Sequence, residues 1–209
     1  MAEPDTSLRV SRLTPRGEAT RLRILRAAAD LMHVKGVGLT TLDDVRVASG
    51  TSKSQLYRHF TDKEALVHAV IGYQAEQVLG RQRRLLKRLN SFRGLELWRE
   101  AVLQRNALRD GAYGCEIGSL ASELSDTDEE ARELLAEHFA SWETLLFEGF
   151  ERMQASGQLR RDADPRTLAT AVMAAVQGGY LMAQLARDVE PMAVALTMAV
   201  EHVRSFAAE

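Results

Sequence analysis

Between positions 53 and 60 a short run of residues could bind a polyanion. If the run is helical, Leu56 and Phe60 are four apart and share an inward face, which leaves Lys53, Ser54, Tyr57 and Arg58 outside. That outer face is polar and basic. Lysine and arginine suit phosphates or guanine, Gln55 near the helix start suits adenine, and tyrosine can stack or donate a hydrogen bond. The chemistry on offer is nucleic-acid recognition.

Other reactive residues are scattered. Cys115 is the single cysteine, so it forms no intrachain disulfide. As a nucleophile it would need a His–Asp partnership that no spacing supplies. As a redox or electrophile sensor it would need a stabilised thiolate, for instance near the start of a helix; the plainer reading is a small apolar residue packed there. The histidines at 33, 59, 68, 138 and 202 have no metal-ligand spacing with Cys115 or with one another, so neither a metal nor a cofactor is expected. Trp98, Phe139, Trp142, Phe147, Met173 and Tyr180 lie at helical spacing, and helices must converge to hide them. Such convergence can leave a ligand cavity. The expected lining is Trp98, Cys115, Phe139, Trp142, Met173, Gln177 and Tyr180, with Gln177 and Tyr180 as the main polar anchors. It suits a mainly apolar organic effector. A nucleotide or sugar phosphate is disfavoured because no glycine-rich phosphate loop is present.

These residues must be positioned by helices. Apolar residues recur at three and four, and strand-like alternation rich in Val, Ile and Thr is missing, so the predicted fold class is all-α with about nine helices. After a polar tail to about Pro15, the first helix runs to about Val34 and stops at Gly36 and Gly38. Thr41 caps a short second helix with Asp44 completing a capping box, and Gly50 ends it. Ser52 caps the third, with Gln55 at the reciprocal position, and that helix ends near Phe60. Two short helices joined by Gly50-Thr51-Ser52 form a helix-turn-helix signature. Thr61 or Asp62 opens a long fourth helix to about Leu89. A fifth spans Ser91 to Arg109 and a short sixth Ile117 to Leu124. Asp126 or Thr127 opens a seventh that Gly157 ends, and Pro165 and Pro191 start the eighth and ninth.

The chain has 209 residues, 45% of them hydrophobic and 27% charged, which excludes a disordered polymer and a mini-protein. Its net charge of −2 hides an asymmetry. Residues 1–90 hold 16 Lys and Arg against 9 Asp and Glu, net +7; the remainder holds 11 against 20, net −9. A basic head that neutralises phosphates on an acidic body with another task is the expected organisation. The run Arg81, Arg83, Arg84, Lys87, Arg88 either extends the basic surface along the fourth helix or, where that helix leads away from the polyanion, is a solvated face, and Arg9, Arg12 and Arg16 either form an arm or are simply solvated. No membrane span is expected, since the least charged stretch, 168–186, is amphipathic. Without a secretory signal and with one cysteine, the cytoplasm is the expected location.

Thr40-Thr41-Leu42-Asp43-Asp44-Val45, then Gly50-Thr51-Ser52-Lys53-Ser54-Gln55-Leu56-Tyr57-Arg58-His59-Phe60 and Lys63-Glu64-Ala65-Leu66, resembles the TetR family of bacterial transcriptional regulators. Leu-Tyr-x-His-Phe with Lys-Glu-x-Leu after it carries most of the resemblance, which covers about residues 16–76. It implies a DNA-binding set of Thr41, Arg46, Ser52, Lys53, Ser54, Gln55, Tyr57, Arg58, His59 and Lys63. It also implies a tail at 1–15, a helix-turn-helix domain at 16–76 and an effector-binding and dimerisation domain at 77–209. Gly114-Cys115-Glu116-Ile117-Gly118-Ser119-Leu120 and the alanine-rich eighth helix are similar to a subgroup that responds to drug-like or reactive compounds.

Small residues usually stand in the family where this chain has Arg46 and Ser49, an apolar one at Thr51, and Gly-Thr at Ser54-Gln55. Arg46 either lays its stem along the packed surface with its guanidinium at a phosphate, or changes the interhelical angle. The family implies a homodimer on a roughly palindromic double-stranded operator, since one recognition helix reads only a half-site. Val172, Val176, Gly179, Ala195, Ala199 and Val203 on the last two helices are the expected dimer contacts. The expected function is a repressor released by its effector, with no catalysis.

Overall fold

A computed structural model describes residues 14–208. Among them the chain forms α1 (Pro15–Lys35), α2 (Leu42–Ser49), α3 (Lys53–His59), α4 (Lys63–Leu86), α5 (Phe92–Ala107), α6 (Glu116–Leu124), α7 (Glu129–Ala155), α8 (Pro165–Ala186) and α9 (Glu190–Arg204). The arm residues Arg9 and Arg12 lie outside the described part, whereas Arg16 is exposed on the first turn of α1.

Helix starts follow from side chains that satisfy the free amides of a first turn. Thr14, Asp62, Ser91, Asp128 and Asp164 each accept one such N–H. The cap of α7 is Asp128 rather than Asp126 or Thr127, because Thr127 Oγ1 instead donates back to the Leu124 carbonyl. Helix α4 crosses position 76 without interruption, so no break in secondary structure marks the expected edge of the head.

The head packs α1 against α2, α3 and α4, around Ile24, Ala28, Val45, Leu56, Phe60, Leu66 and Val70. The body packs α7 on α4 and α8, and α8 most extensively on α9. Two polar contacts fix the far end of α4. Trp98 Nε1 donates to Gln82 Oε1 at 2.9 Å in the buried seam between α5 and α4. Arg152 of α7 donates to the Leu86 and Leu89 carbonyls at 2.9 and 3.1 Å, placing a cation where the helix dipole is negative. Helix α8 is long and apolar enough to cross a membrane by length and composition. Its buried side, Leu168, Val172, Val176, Gly179 and Ala183, is the core stripe of the body.

That stripe corrects the expected dimer contacts. Val172 is 1% exposed and Val176 and Val203 are fully buried within one chain. Gly179 is buried too, and a Cβ there would stand 3.0 Å from Met192 Cγ, so glycine permits the close approach of α8 to α9. Ala199 is buried and Ala195 half-buried. None of the fully buried set has a surface to offer a partner. The opposite face of the hairpin is the exposed apolar one, with Leu181 at 58%, Leu185 at 72%, Val194 at 60% and Met198 at 68% exposure.

Candidate nucleic-acid interface and effector cavity

Two capping boxes build the motif. Thr41 N–H donates to Asp44 Oδ2 while Asp44 N–H donates to Thr41 Oγ1, and Ser52 and Gln55 repeat the exchange at the start of α3. Gly50 sits between them at φ 61°, a left-handed conformation that costs other residues about 1 kcal/mol. The two departures at Ser49 and Thr51 account for each other: both are buried, and their hydroxyls are 2.9 Å apart in a mutual hydrogen bond. Two polar residues thereby occupy an apolar seam with neither hydroxyl unpaired.

The expected DNA-contact residues fall into two groups. Thr41, Ser52 and Gln55 spend polar atoms on the caps, so Gln55 keeps its amide NH2 but its Oε1 is already an acceptor for Ser52. Arg46 Nε is 2.7 Å from Asp43 Oδ1. Its guanidinium thus folds along α2 to a carboxylate of the same helix. Lys63 Nζ reaches the Gly38 carbonyl at 3.3 Å. The second group is outward: Lys53, Ser54, Tyr57 and Arg58 are exposed on α3, with Lys53 Nζ 6.0 Å from the Tyr57 ring centre. His59 is half-buried; burial, with Arg58 and Arg21 nearby, holds its pKa below the usual imidazole value.

In the body, α6, α7 and α8 enclose a cleft of about 540 Å³. It brings together four of the seven expected lining residues, Cys115, Phe139, Gln177 and Tyr180. Trp98, Trp142 and Met173 do not line it and are packed in the core, at 1%, 1% and 6% exposure. Helical spacing shows which side chains point inward but not which of them meet a void. Gln184, Leu181 and Glu123 also line the cleft. The first two lie on the α8 face of Gln177, seven and four positions on, and that periodicity could have found them.

The Gln177 amide nitrogen is buried without a hydrogen-bond partner among the described residues. Behind the cleft, Glu116 lies 3.0 Å from Arg81 and is also paired with Arg105. Burial alone would raise its pKa, but the two arginines outweigh it and hold the carboxylate ionised. At the rim, Glu123 Oε2 accepts the Val37 amide at 2.7 Å, joining the cleft wall to the loop between α1 and α2.

Cys115 is the N-cap of α6 but makes no side-chain cap hydrogen bond. Burial, with Glu116 adjacent, pushes its thiol up to about 11. The thiol is therefore protonated at neutral pH. Iodoacetamide at pH 7.5 is expected to alkylate the native protein at least about 100-fold more slowly than a free thiol, from ionisation alone. Labelling as fast as in urea would show a reactive thiolate instead.

An exposed basic recognition helix on a capped motif, carried by a helical body, defines a DNA-binding regulator class. Residues 24–70 match the family model described as bacterial regulatory proteins, tetR family, and residues 86–199 match the tetracyclin repressor-like C-terminal domain. The chain belongs to the TetR family, whose members regulate transcription by binding DNA rather than by catalysis. It is 27% identical to the HTH-type transcriptional repressor DhaR of Mycobacterium sp. (strain GP1), over 87% of this chain and 90% of that one. It is 25% identical to the HTH-type transcriptional regulator LmrA of Bacillus subtilis, over 83% and 90%. The fold matches the crystal structure of regulatory protein TetR from Rhodobacter sphaeroides with a TM-score of 0.80, at 22% identity over 88% of this chain and 98% of that one.

Proposed function

We propose that the protein is a cytoplasmic homodimeric repressor that leaves its operator when a mainly apolar organic compound enters the α6–α7–α8 cleft. In this reading residues 16–76 are the DNA-binding unit and 77–209 the effector-binding and dimerisation unit. Lys53, Ser54, Tyr57 and Arg58 face the operator, and the apolar side of α8 and α9 faces the second copy. The observation that carries the effector reading is the cleft itself, lined by Phe139, Tyr180 and Gln177, whose amide nitrogen is buried without a hydrogen-bond partner among the described residues. A buried donor without a partner costs about 1–3 kcal/mol, which an acceptor on the ligand would recover.

Transmission has a short path, because Glu123 belongs both to the cleft and to the contact with Val37. A ligand with equal affinity for both states shifts nothing, so the compound must prefer a state whose head spacing no longer fits DNA. A hundredfold loss of operator affinity needs only about 2.7 kcal/mol of coupling.

Gel retardation with the DNA upstream of the protein's own coding sequence is expected to give salt-sensitive, sequence-specific binding that apolar aromatic compounds reverse. Calorimetry of an active compound should then give a dissociation constant raised by saturating operator by the same factor as the compound weakens operator binding. Equal constants with and without operator would overturn induction through this cleft.

A further inference from the structure

A cluster at the junction of head and body takes no part in this account. His68 on α4 places Nε2 2.9 Å from Asp128 Oδ2 and Nδ1 3.4 Å from Glu130 Oε1. Glu64, one turn earlier on the same helix, contributes a carboxylate oxygen, and the ligand atoms of Glu64, His68 and Asp128 all lie within 4.8 Å of one another. We propose that Glu64, His68 and Asp128 form a binding site for a divalent metal ion of borderline softness, of the Zn²⁺ or Co²⁺ class, that ties α4 to α7.

The donor set selects the class. One imidazole nitrogen with carboxylate oxygens suits Zn²⁺ and Co²⁺, whereas Ca²⁺ and Mg²⁺ take all-oxygen shells. Donors about 2.0–2.2 Å from one ion stand roughly 3–4 Å from each other, so His68 and Asp128 are already in range and Glu64 needs only a side-chain adjustment. Glu64 is exposed and free to make it.

The surrounding contacts are those a bound ion requires. A metal-ligating histidine donates its other ring N–H to a carboxylate, and Glu130 Oε1, 3.4 Å from Nδ1, is near enough to accept it after a small side-chain adjustment. Asp128 Oδ1 accepts the Ala131 amide at 2.9 Å, which holds Oδ2 toward the imidazole. The charge balance points the same way. Among the described residues the imidazole is the sole basic partner of Asp128 and Glu130, and Glu64 has none, whereas Glu116 has two arginines. Three carboxylates thus surround one imidazole with no arginine or lysine paired to them, and a divalent ion would offset two of their charges. The side chains of His68 and Asp128 are 14% and 19% exposed, which leaves room for water to complete the shell. Spacing along the sequence could not reveal the site, because the loop from His68 to Asp128 closes only in the folded chain.

Chelator-stripped protein titrated calorimetrically with Zn²⁺, and separately with Co²⁺, is expected to bind one ion per chain. At about 100 times the dissociation constant the melting midpoint should rise by roughly 5–10 °C. Glu64→Gln removes a ligand without touching the metal-free ion pair, so it should keep the metal-free midpoint and weaken binding at least 10-fold. His68→Gln should weaken it at least as much. The proposal is overturned if neither ion binds saturably up to about 0.1 mM, which would leave an ion pair only, or if both variants bind as tightly as the natural chain.

Discussion

Arginine in place of Leu181 or Leu185 is expected to convert the proposed dimer to monomers and to cost at least about 100-fold in operator affinity, because a monomer engages a single half-site. These side chains are 58% and 72% exposed on α8, one turn apart, and Val194 and Met198 repeat the spacing on α9. Burying each in a partner stabilises the pair by about 1.5–3 kcal/mol, and a two-fold axis applies every gain twice. Arginine reverses the sign, since a desolvated charge without a partner is costly. The control is Val176→Arg: Val176 is fully buried within the chain, so that change should unfold the protein rather than dissociate it. Light scattering at micromolar concentration with thermal melting separates the outcomes. A natural protein already monomeric there, or a Leu185→Arg variant that stays dimeric, would refute this interface.

The recognition helix gives the second large effect. Tyr57→Ala should weaken specific operator binding by about 1–3 kcal/mol, and Lys53→Ala should weaken all sequences more evenly while flattening the salt slope by about one counterion. Both residues are exposed and neither supplies a cap, so melting should be unchanged. Unaltered operator affinity in both variants would remove α3 from the interface.

The head was legible because its signals are local. Thr41 with Asp44, Gly50, and Ser52 with Gln55 specify caps and turn within three residues of each other, and the structure has each of them. Helix α8 was legible only to its periodicity. It carries two stripes, one of Val172, Val176 and Gly179 and another of Ala174, Gly178, Leu181 and Leu185, and composition does not say which one α9 covers. The stripe expected at a dimer contact is the one that the chain buries itself. The cleft was half legible for a related reason: its aromatic and amide residues were recognisable by type, but Trp98 and Trp142 are of the same type and fill the core. Glu123 with Val37, and His68 with Asp128, join positions 86 and 60 apart, and nothing in their neighbourhoods announces the partner.

The two ends of α4 are fastened to α7 unequally. At Leu86 and Leu89, Arg152 holds two backbone carbonyls; at the head end the fastening is His68 on Asp128. A rigid rod pivoted at the Arg152 end would move most at the other. The 24 residues of α4 span about 36 Å, so a swing of about 5° carries the head end roughly 3 Å. In a two-fold assembly whose arms swing apart, the heads separate by about twice that, roughly a sixth of the 34 Å between successive major-groove faces.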